Sequence, residues 1–172
     1  MQNPLKSSKR RRLWVYVLAV LLAAGLCAAP LVRRRLLFRE MAALYFKSLI
    51  GVHLTDVHSS DPHEVLLGLE NRLGFVPVIP SRTPPGYSLV GGRVDVFETQ
   101  QACVFVYKRG RDYVEVLVTP FDVGTSGPHF ASRLNYLGWS AGSLHYWAMT
   151  YKAQYLDSLA RAFQESGPPL NR

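Results

Sequence analysis

The sequence predicts an α+β fold in which one N-terminal transmembrane helix is followed by an antiparallel β-meander packed with two or three helices. Three observations lead to this prediction. Residues 13–32 form an uncharged apolar run. Between residues 88 and 150, short runs with alternating apolar residues are separated by turn residues, which indicates antiparallel strands. Apolar residues at helical spacing recur over 36–50, 65–73 and 153–163.

The apolar run Leu13–Val32 contains 20 residues. As a helix it would be about 30 Å long, which is the thickness of the hydrocarbon core of a bilayer. Trp14 lies near one end, where amphipathic rings favour the membrane interface. Arg33–Arg35 end the run sharply. We therefore expect an uncleaved transmembrane anchor with the lipid bilayer as its partner.

A cleaved signal peptide is the alternative interpretation of this run. Small residues at Cys27–Ala29 suit a cleavage site, but Pro30 would follow the cut and fits poorly there. The uncleaved anchor is therefore the favoured interpretation. The second cysteine, Cys103, lies in a strand-like run, so no intramolecular disulfide with Cys27 is expected.

The excess of positive charge lies beside the apolar run. Residues 1–35 hold 8 of the 20 Lys and Arg and no acid, so the remaining 12 basic residues balance the 12 Asp and Glu of residues 36–172. A nucleic-acid partner requires a basic face and is not expected. The pattern divides the chain into five parts: a cytoplasmic basic tail (1–12), the transmembrane helix (13–32), a post-membrane helix (33–50), an extracytoplasmic α+β domain (51–166) and a flexible tail (167–172).

Residue types within the domain predict its elements. Asp61 is expected to cap a helix that begins at Pro62 and ends at Gly74 in the left-handed conformation. Gly91-Gly92 predict a β-bulge. Loops are expected over 51–63 and 120–132, and the helices are expected to cover one face of the sheet. The predicted strands are 88–97, 102–107, 113–118, 134–139 and 144–150.

A cluster of imidazoles and carboxylates precedes the Pro62 helix, and it predicts a candidate metal site for Cu²⁺ or Zn²⁺. Neither strand nor helix spacing gives a known metal signature. The alternative is a polar loop in which one carboxylate caps the helix; no cofactor is then expected. A histidine pair here could also respond to pH near 6.5. The five candidate ligands are His53, Asp56, His58, Asp61 and His63.

No residues predict an enzyme. Gly138-Trp139-Ser140-Ala141-Gly142 matches G-x-S-x-G, but that motif exposes its serine where a strand turns into a helix. Here the following residues, 144–150, alternate as a strand. A hairpin turn is therefore the favoured interpretation of Ser140, and no nucleophile–base pair or paired carboxylates stand in a convincing context.

Several segments in order resemble the extracytoplasmic part of bacterial transmembrane anti-sigma factors, from about Leu44 to Phe163. The matching segments are His53-Leu54-Thr55-Asp56-Val57, Ser59-Ser60-Asp61 with His63, Leu89-Val90-Gly91-Gly92-Arg93, Val106-Tyr107 with Arg109, and Tyr146-Trp147-Ala148. The resemblance implies an extracytoplasmic domain that receives a signal. Only residues 1–12 precede the predicted span in this sequence, so we expect the family's cytoplasmic sigma-binding domain to be missing.

These expectations lead to a hypothesis of function. The chain is predicted to be a non-enzymatic, membrane-anchored interaction or sensory module that binds a partner protein or a small signal. Its membrane helix could also make it an accessory subunit of a membrane complex. It is expected in the bacterial inner membrane, with the N-terminus in the cytoplasm and the domain in the periplasm. The alternative is a periplasmic copper- or zinc-binding protein that uses the cluster at 53–63.

Overall fold

The computed structural model describes residues 5–50 and 53–166, and the side chains of residues 5–13 and 23–27 lie outside the described set. The predicted flexible tail 167–172 also lies outside it. The described elements are α1 (Leu5–Leu49), β1 (Val57–His58), α2 (Pro62–Glu70), β2 (Ser88–Phe97), β3 (Gln100–Arg109), β4 (Asp112–Thr119), β5 (Gly127–Ala131), β6 (Leu134–Ala141), β7 (Leu144–Thr150), a 3₁₀ turn (Ala153–Tyr155) and α3 (Leu156–Ser166).

The chain divides into two compact units, residues 1–37 and residues 38–172. The predicted span 13–32 and the predicted helix 33–50 lie in α1, which contains Pro30. Among the described residues, no helix combines the length and apolar character needed to cross a bilayer. The predicted span includes Leu13 and residues 23–27, whose side chains are outside the description, and the membrane anchor stays a prediction.

The second unit, here called the sheet domain, is built on one seven-stranded antiparallel sheet. Its strand order is β1-β2-β3-β4-β7-β6-β5. Strands β1 to β4 form one meander, and β5 to β7 form a second one whose last strand, β7, lies beside β4. The segment after β4 therefore carries the chain to the far edge of the sheet before hairpins return it to β4. The predicted α+β class with an antiparallel sheet is confirmed.

Two edge strands lie where loops were predicted. β1, within the predicted loop 51–63, has two residues, too few for a periodic signal. β5, within the predicted loop 120–132, begins with Gly127-Pro128, residue types that weaken a strand and confine it to a sheet edge. Both loop predictions are wrong at these positions, because an edge strand needs little intrinsic strand preference once its neighbour offers hydrogen bonds.

Helices cover both faces of the sheet, so the expectation of one covered face is wrong. On one face, α2 and α3 pack on alternate residues of the central strands, including Phe105 and Val116. On the other, the end of α1 lies over the sheet, where the Tyr136 hydroxyl donates to the Phe38 carbonyl at 3.2 Å. The continuous burial of residues 102–107 in β3 is typical of a strand enclosed on both sides.

Helix α2 begins as predicted and ends early. The Asp61 carboxylate accepts a 2.8 Å hydrogen bond from the His63 N–H, and Pro62 takes the first helical position, which confirms the predicted cap. The helix ends at Glu70, with Asn71 in a right-handed conformation at its C-cap. Gly74 has no positive φ. The predicted left-handed cap is wrong, because the last carbonyls are met by a turn in which the Arg72 N–H donates to Leu69.

Candidate functional site: a buried charge cluster beneath α1

Three charged side chains lie buried together on the α1 face of the sheet, and they are called the charge cluster here: Arg93, Asp95 and Glu115. Arg93 is 1% exposed and Glu115 is fully buried. Arg93 donates from Nη2 to Glu115 Oε2 at 2.8 Å and from Nε to Asp95 Oδ2 at 2.6 Å. Burying a charge is costly unless it is paired and hydrogen-bonded, so the guanidinium holds the two carboxylates in place.

The end of α1 contributes three groups to this cluster. Ser48 donates a short hydrogen bond to Glu115 Oε1, and Lys47 Nζ lies 3.5 Å from Asp95 Oδ1. The Leu44 carbonyl accepts from Arg93 Nη2 at 3.5 Å. Positions i, i+3 and i+4 share one side of a helix, so one side of α1 is matched to the cluster. Lys47 also balances the charge, since Arg93 alone faces two carboxylates.

The segment that follows α1 holds the cluster from the other side. The Leu54 carbonyl accepts from Arg93 Nη1 at 3.1 Å. Asp56 accepts from the Val94 N–H at 2.9 Å and from Arg72 at 2.6 Å, and it also contacts His53 Nε2. Segment 53–56 therefore joins the end of α2, strand β2 and the charge cluster.

The surroundings shift the pKa values of these groups in opposite directions. Burial opposes ionisation of Asp56, but hydrogen bonds from the Val94 N–H and His53, with the charge of Arg72, hold its pKa below the usual value. Burial raises the pKa of Glu115, against the opposing effects of Arg93 and Ser48. Although burial works against it, the pKa of Arg93 is raised by the facing Glu115 carboxylate, so the guanidinium stays charged.

The structure brings together one pair of the five predicted metal ligands, His53 and Asp56. Asp56 is already bonded to Arg72 and Val94, and Asp61 caps α2. His58 and His63 are exposed, the first on β1 and the second in the first turn of α2. Across the part of the chain that the structure describes, no three His, Cys, Asp or Glu side chains are placed to hold a metal ion. The five-residue metal site stays a prediction.

Two glycines explain how these segments approach one another so closely. Gly91 and Gly92 pair with His58 and Val57 of β1, and the register shifts between Leu89 and Gly91, which confirms the predicted bulge. Gly91 has a φ of 153°, and a Cβ there would lie 2.0 Å from the Val57 carbonyl oxygen. Any side chain at this position would therefore push β1 away from β2.

The G-x-S-x-G serine lies in the β6–β7 hairpin, as predicted. Gly142 turns the chain with a φ of 61°. The Ser140 hydroxyl lies 2.9 Å from His145 Nδ1, and Asp122 Oδ1 lies 3.7 Å from the same nitrogen. A catalytic triad needs the serine and the carboxylate on opposite imidazole nitrogens. Here both groups lie near the same nitrogen, so Asp122 does not orient the imidazole as a general base for Ser140.

No family model, no curated protein and no solved structure matches this chain. The resemblance to anti-sigma factors stays a prediction. Its first segments, 53–57, 59–63 and 89–93, nevertheless lie together around β1 and the Arg93 side chain.

The roles of Glu115 and Arg72 were not evident from the sequence. Glu115 lies in the middle of the otherwise apolar strand β4. A charged residue at such a position can indicate a buried charge, here on the face of the sheet that α1 covers. Arg93 appeared only as the last residue of a resembling segment. Arg72 gave no signal, because its partner Asp56 is separated from it by the whole of α2.

Proposed function

We propose that this chain is a non-enzymatic, membrane-anchored sensory or interaction module of the bacterial inner membrane. In this proposal residues 13–32 cross the bilayer, the N-terminus is cytoplasmic, and the sheet domain lies in the periplasm. The sheet domain binds a partner protein or small signal, and α1 carries the bound state to the membrane.

The observation that supports this proposal best is the charge cluster beneath α1. The end of α1 contacts the charge cluster through Leu44, Lys47 and Ser48. Few positions of the helix are possible there, because each buried charge must keep its partners when the helix moves. A helix held in this way shifts between discrete positions more readily than it slides continuously. That property suits a helix that reports on the state of its domain.

Two further features support the anchored placement. The sheet domain has balanced charge, whereas the basic excess flanks the apolar run 13–32. Arg93, in one of the segments that resemble the outer domain of anti-sigma factors, contacts both α1 and segment 53–56. In this proposal, Arg93 connects the sheet domain, which receives the signal, to α1, which leads to the membrane.

A non-enzymatic role is supported by the state of the candidate nucleophiles in the described residues. Burial raises the pKa of the Cys103 thiol, which keeps it protonated and unreactive. Ser140 has the unsuitable imidazole contact described above. The ionised groups of the charge cluster are buried away from solvent and substrate.

The placement can be tested with the full chain expressed in a Gram-negative bacterium. Single cysteines at Gln154 and at Ser7, in a Cys27→Ser background, would be treated with a membrane-impermeant maleimide. We expect the Gln154→Cys form to react in intact spheroplasts and the Ser7→Cys form only after lysis. The Cys27→Ser chain, in which the remaining Cys103 is buried, provides the background signal. Recovery in the soluble fraction, or the reverse labelling pattern, would overturn the proposal.

The interaction role needs a separate experiment. Affinity capture from mild detergent would compare the full chain with a form in which residues 13–32 are exchanged for an unrelated membrane span. A partner of the sheet domain should be recovered with both forms, and a partner of the membrane helix only with the native one. Recovery of no partner with either form would count strongly against the interaction role.

A further inference from the structure

An apolar groove runs along the solvent side of α2 and the segment that follows it. It encloses about 440 Å³, a volume within the range of small-molecule sites. It is lined by Leu66 and Leu67 of α2 and by Phe75 and Val76 of the segment that follows. The groove is separate from the charge cluster, which lies on the opposite face of the sheet.

The groove exposes apolar surface that the sheet domain does not use. Leu67 is 54% exposed and Val76 is 76% exposed. The opposite side of α2 already supplies Val65 and Leu69 to the core, where both are fully buried. A helix that is apolar on two sides has more hydrophobic surface than its own packing requires, so its exposed side is available to a ligand.

The charge of the groove indicates the chemistry of its occupant. His63 and Glu70 line it together with the apolar residues, and the lining contains no Lys or Arg. No hydrogen bond or ion pair joins the Glu70 carboxylate to any other described residue. An apolar trough with one uncompensated carboxylate is complementary to a molecule with an apolar body and one positive charge.

We propose that this groove binds a small amphiphilic amine, whose apolar body lies between Leu67 and Val76 and whose ammonium group pairs with Glu70. The inference rests on the proposed sensory function and supplies its ligand class. The groove also adjoins a chain of contacts that leads to Arg93. Arg72, two residues after Glu70, bonds to Asp56, and Asp56 accepts from the Val94 N–H next to Arg93. A ligand that shifts the end of α2 would act on this chain of contacts.

The probe for the test is octylamine, with octanoate and octanol as matched amphiphiles of the same chain length. The full chain in zwitterionic nanodiscs would be titrated by calorimetry, with empty nanodiscs subtracted. We expect saturable binding of octylamine and at least about tenfold weaker binding of octanoate. Glu70→Gln should weaken octylamine binding about tenfold, and Leu67→Arg should abolish it.

Two variants control for charge and for surface change elsewhere. Glu165→Gln removes an exposed carboxylate from α3, and Val96→Arg adds a cation at an exposed apolar position of β2. Both should bind octylamine like the parent chain, and circular dichroism should show that all four variants are folded. Equal affinity for octylamine and octanoate, or unchanged binding by Glu70→Gln, would overturn the proposal. So would strong competition by an uncharged amphipathic peptide, which would indicate a protein partner.

Failure of this inference can be distinguished from failure of the proposed function. If octylamine does not bind while the maleimide pattern at Gln154 and Ser7 is as expected, only the ligand class is wrong. If the chain is soluble or the labelling pattern is reversed, the anchored module is wrong, whatever the groove binds.

Discussion

Arg93 on β2 reaches across β3 to donate a 2.8 Å hydrogen bond to Glu115 on β4. Neither side chain is solvated, so each depends on the other to offset the cost of burial. A second consequence concerns α1. Because Ser48 bonds to the same carboxylate, the docking of the helix and the side-chain link between β2 and β4 depend on one group. The stability of the sheet domain and the position of α1 should therefore change together.

Breaking this pair should be costly, and removing both charges should cost less. Glu115→Leu leaves Arg93 buried with only Asp95, and we expect a loss of about 3 kcal/mol in the free energy of unfolding. Arg93→Met alone leaves two carboxylates without their guanidinium partner, so the loss in the free energy of unfolding should be at least as large. The double variant should lose about 2 kcal/mol less than the sum of the single losses. Urea unfolding of the full chain in mild detergent, followed by tryptophan fluorescence, measures all three. Additive losses would show that the two side chains are not coupled.

Acid should destabilise the domain partly through Asp56. Its pKa is lower in the folded chain than its usual value near 3.9, so ionised Asp56 stabilises the fold at all pH values above that value. The contribution is lost as the pH falls through the lowered, folded-state pKa. In Asp56→Asn, we expect a loss of about 1 kcal/mol at pH 7 and a weaker decline of stability from pH 5 to pH 2. Urea unfolding across this pH range measures both.

Asp61→Asn is the control for the Asp56 experiment, because asparagine caps a helix about as well as aspartate. It should change stability by less than about 0.5 kcal/mol at pH 7. If Asp56→Asn declined with acid as steeply as the parent chain, the stabilising contacts of Asp56 would not be those with Arg72 and Val94.

Local features were predictable from the sequence where neighbouring residues determine them. The Asp61 cap, the Gly91-Gly92 bulge and the Ser140 hairpin each depend on residues within a few positions. Gly74 was predicted wrongly for the same reason: a glycine after an apolar run is typical of a left-handed cap, but the helix ends earlier, in the turn at Asn71.

Features that depend on distant pairing were not predictable. The insertion of β7 beside β4 joins residues about thirty positions apart, and alternation within a strand does not say which strand lies next to it. The charge cluster depends instead on the β2-β3-β4 meander, because Arg93 and Glu115 lie on strands that β3 separates. For the candidate metal site, the residue types were suitable, but the backbone directs Asp56 and Asp61 to different partners.

Two buried tyrosines should respond in opposite ways to loss of the hydroxyl. The Tyr107 hydroxyl is buried and has no hydrogen-bond partner among the described residues. Because an unpaired buried hydroxyl is a desolvation cost, Tyr107→Phe should leave stability unchanged or raise it by up to about 1 kcal/mol. Tyr136→Phe removes a bond to the Phe38 carbonyl and should cost about 1 kcal/mol. Thermal unfolding of both variants measures the contrast. A clear loss in Tyr107→Phe would reveal a partner for that hydroxyl, such as a buried water.

A side chain at Gly91 should separate β1 from β2. Gly91→Ala combines a positive φ with a Cβ that would meet the Val57 carbonyl, so we expect a loss of about 3 kcal/mol. Gly74→Ala is the matched control, because its Cβ would meet nothing within 4 Å and its φ is not positive. It should change stability by less than about 0.5 kcal/mol. Hydrogen exchange should show faster exchange of the Asp56 N–H, which bonds to Gly92, only in Gly91→Ala. Equal protection in both variants would show that β1 can move without loss of its pairing.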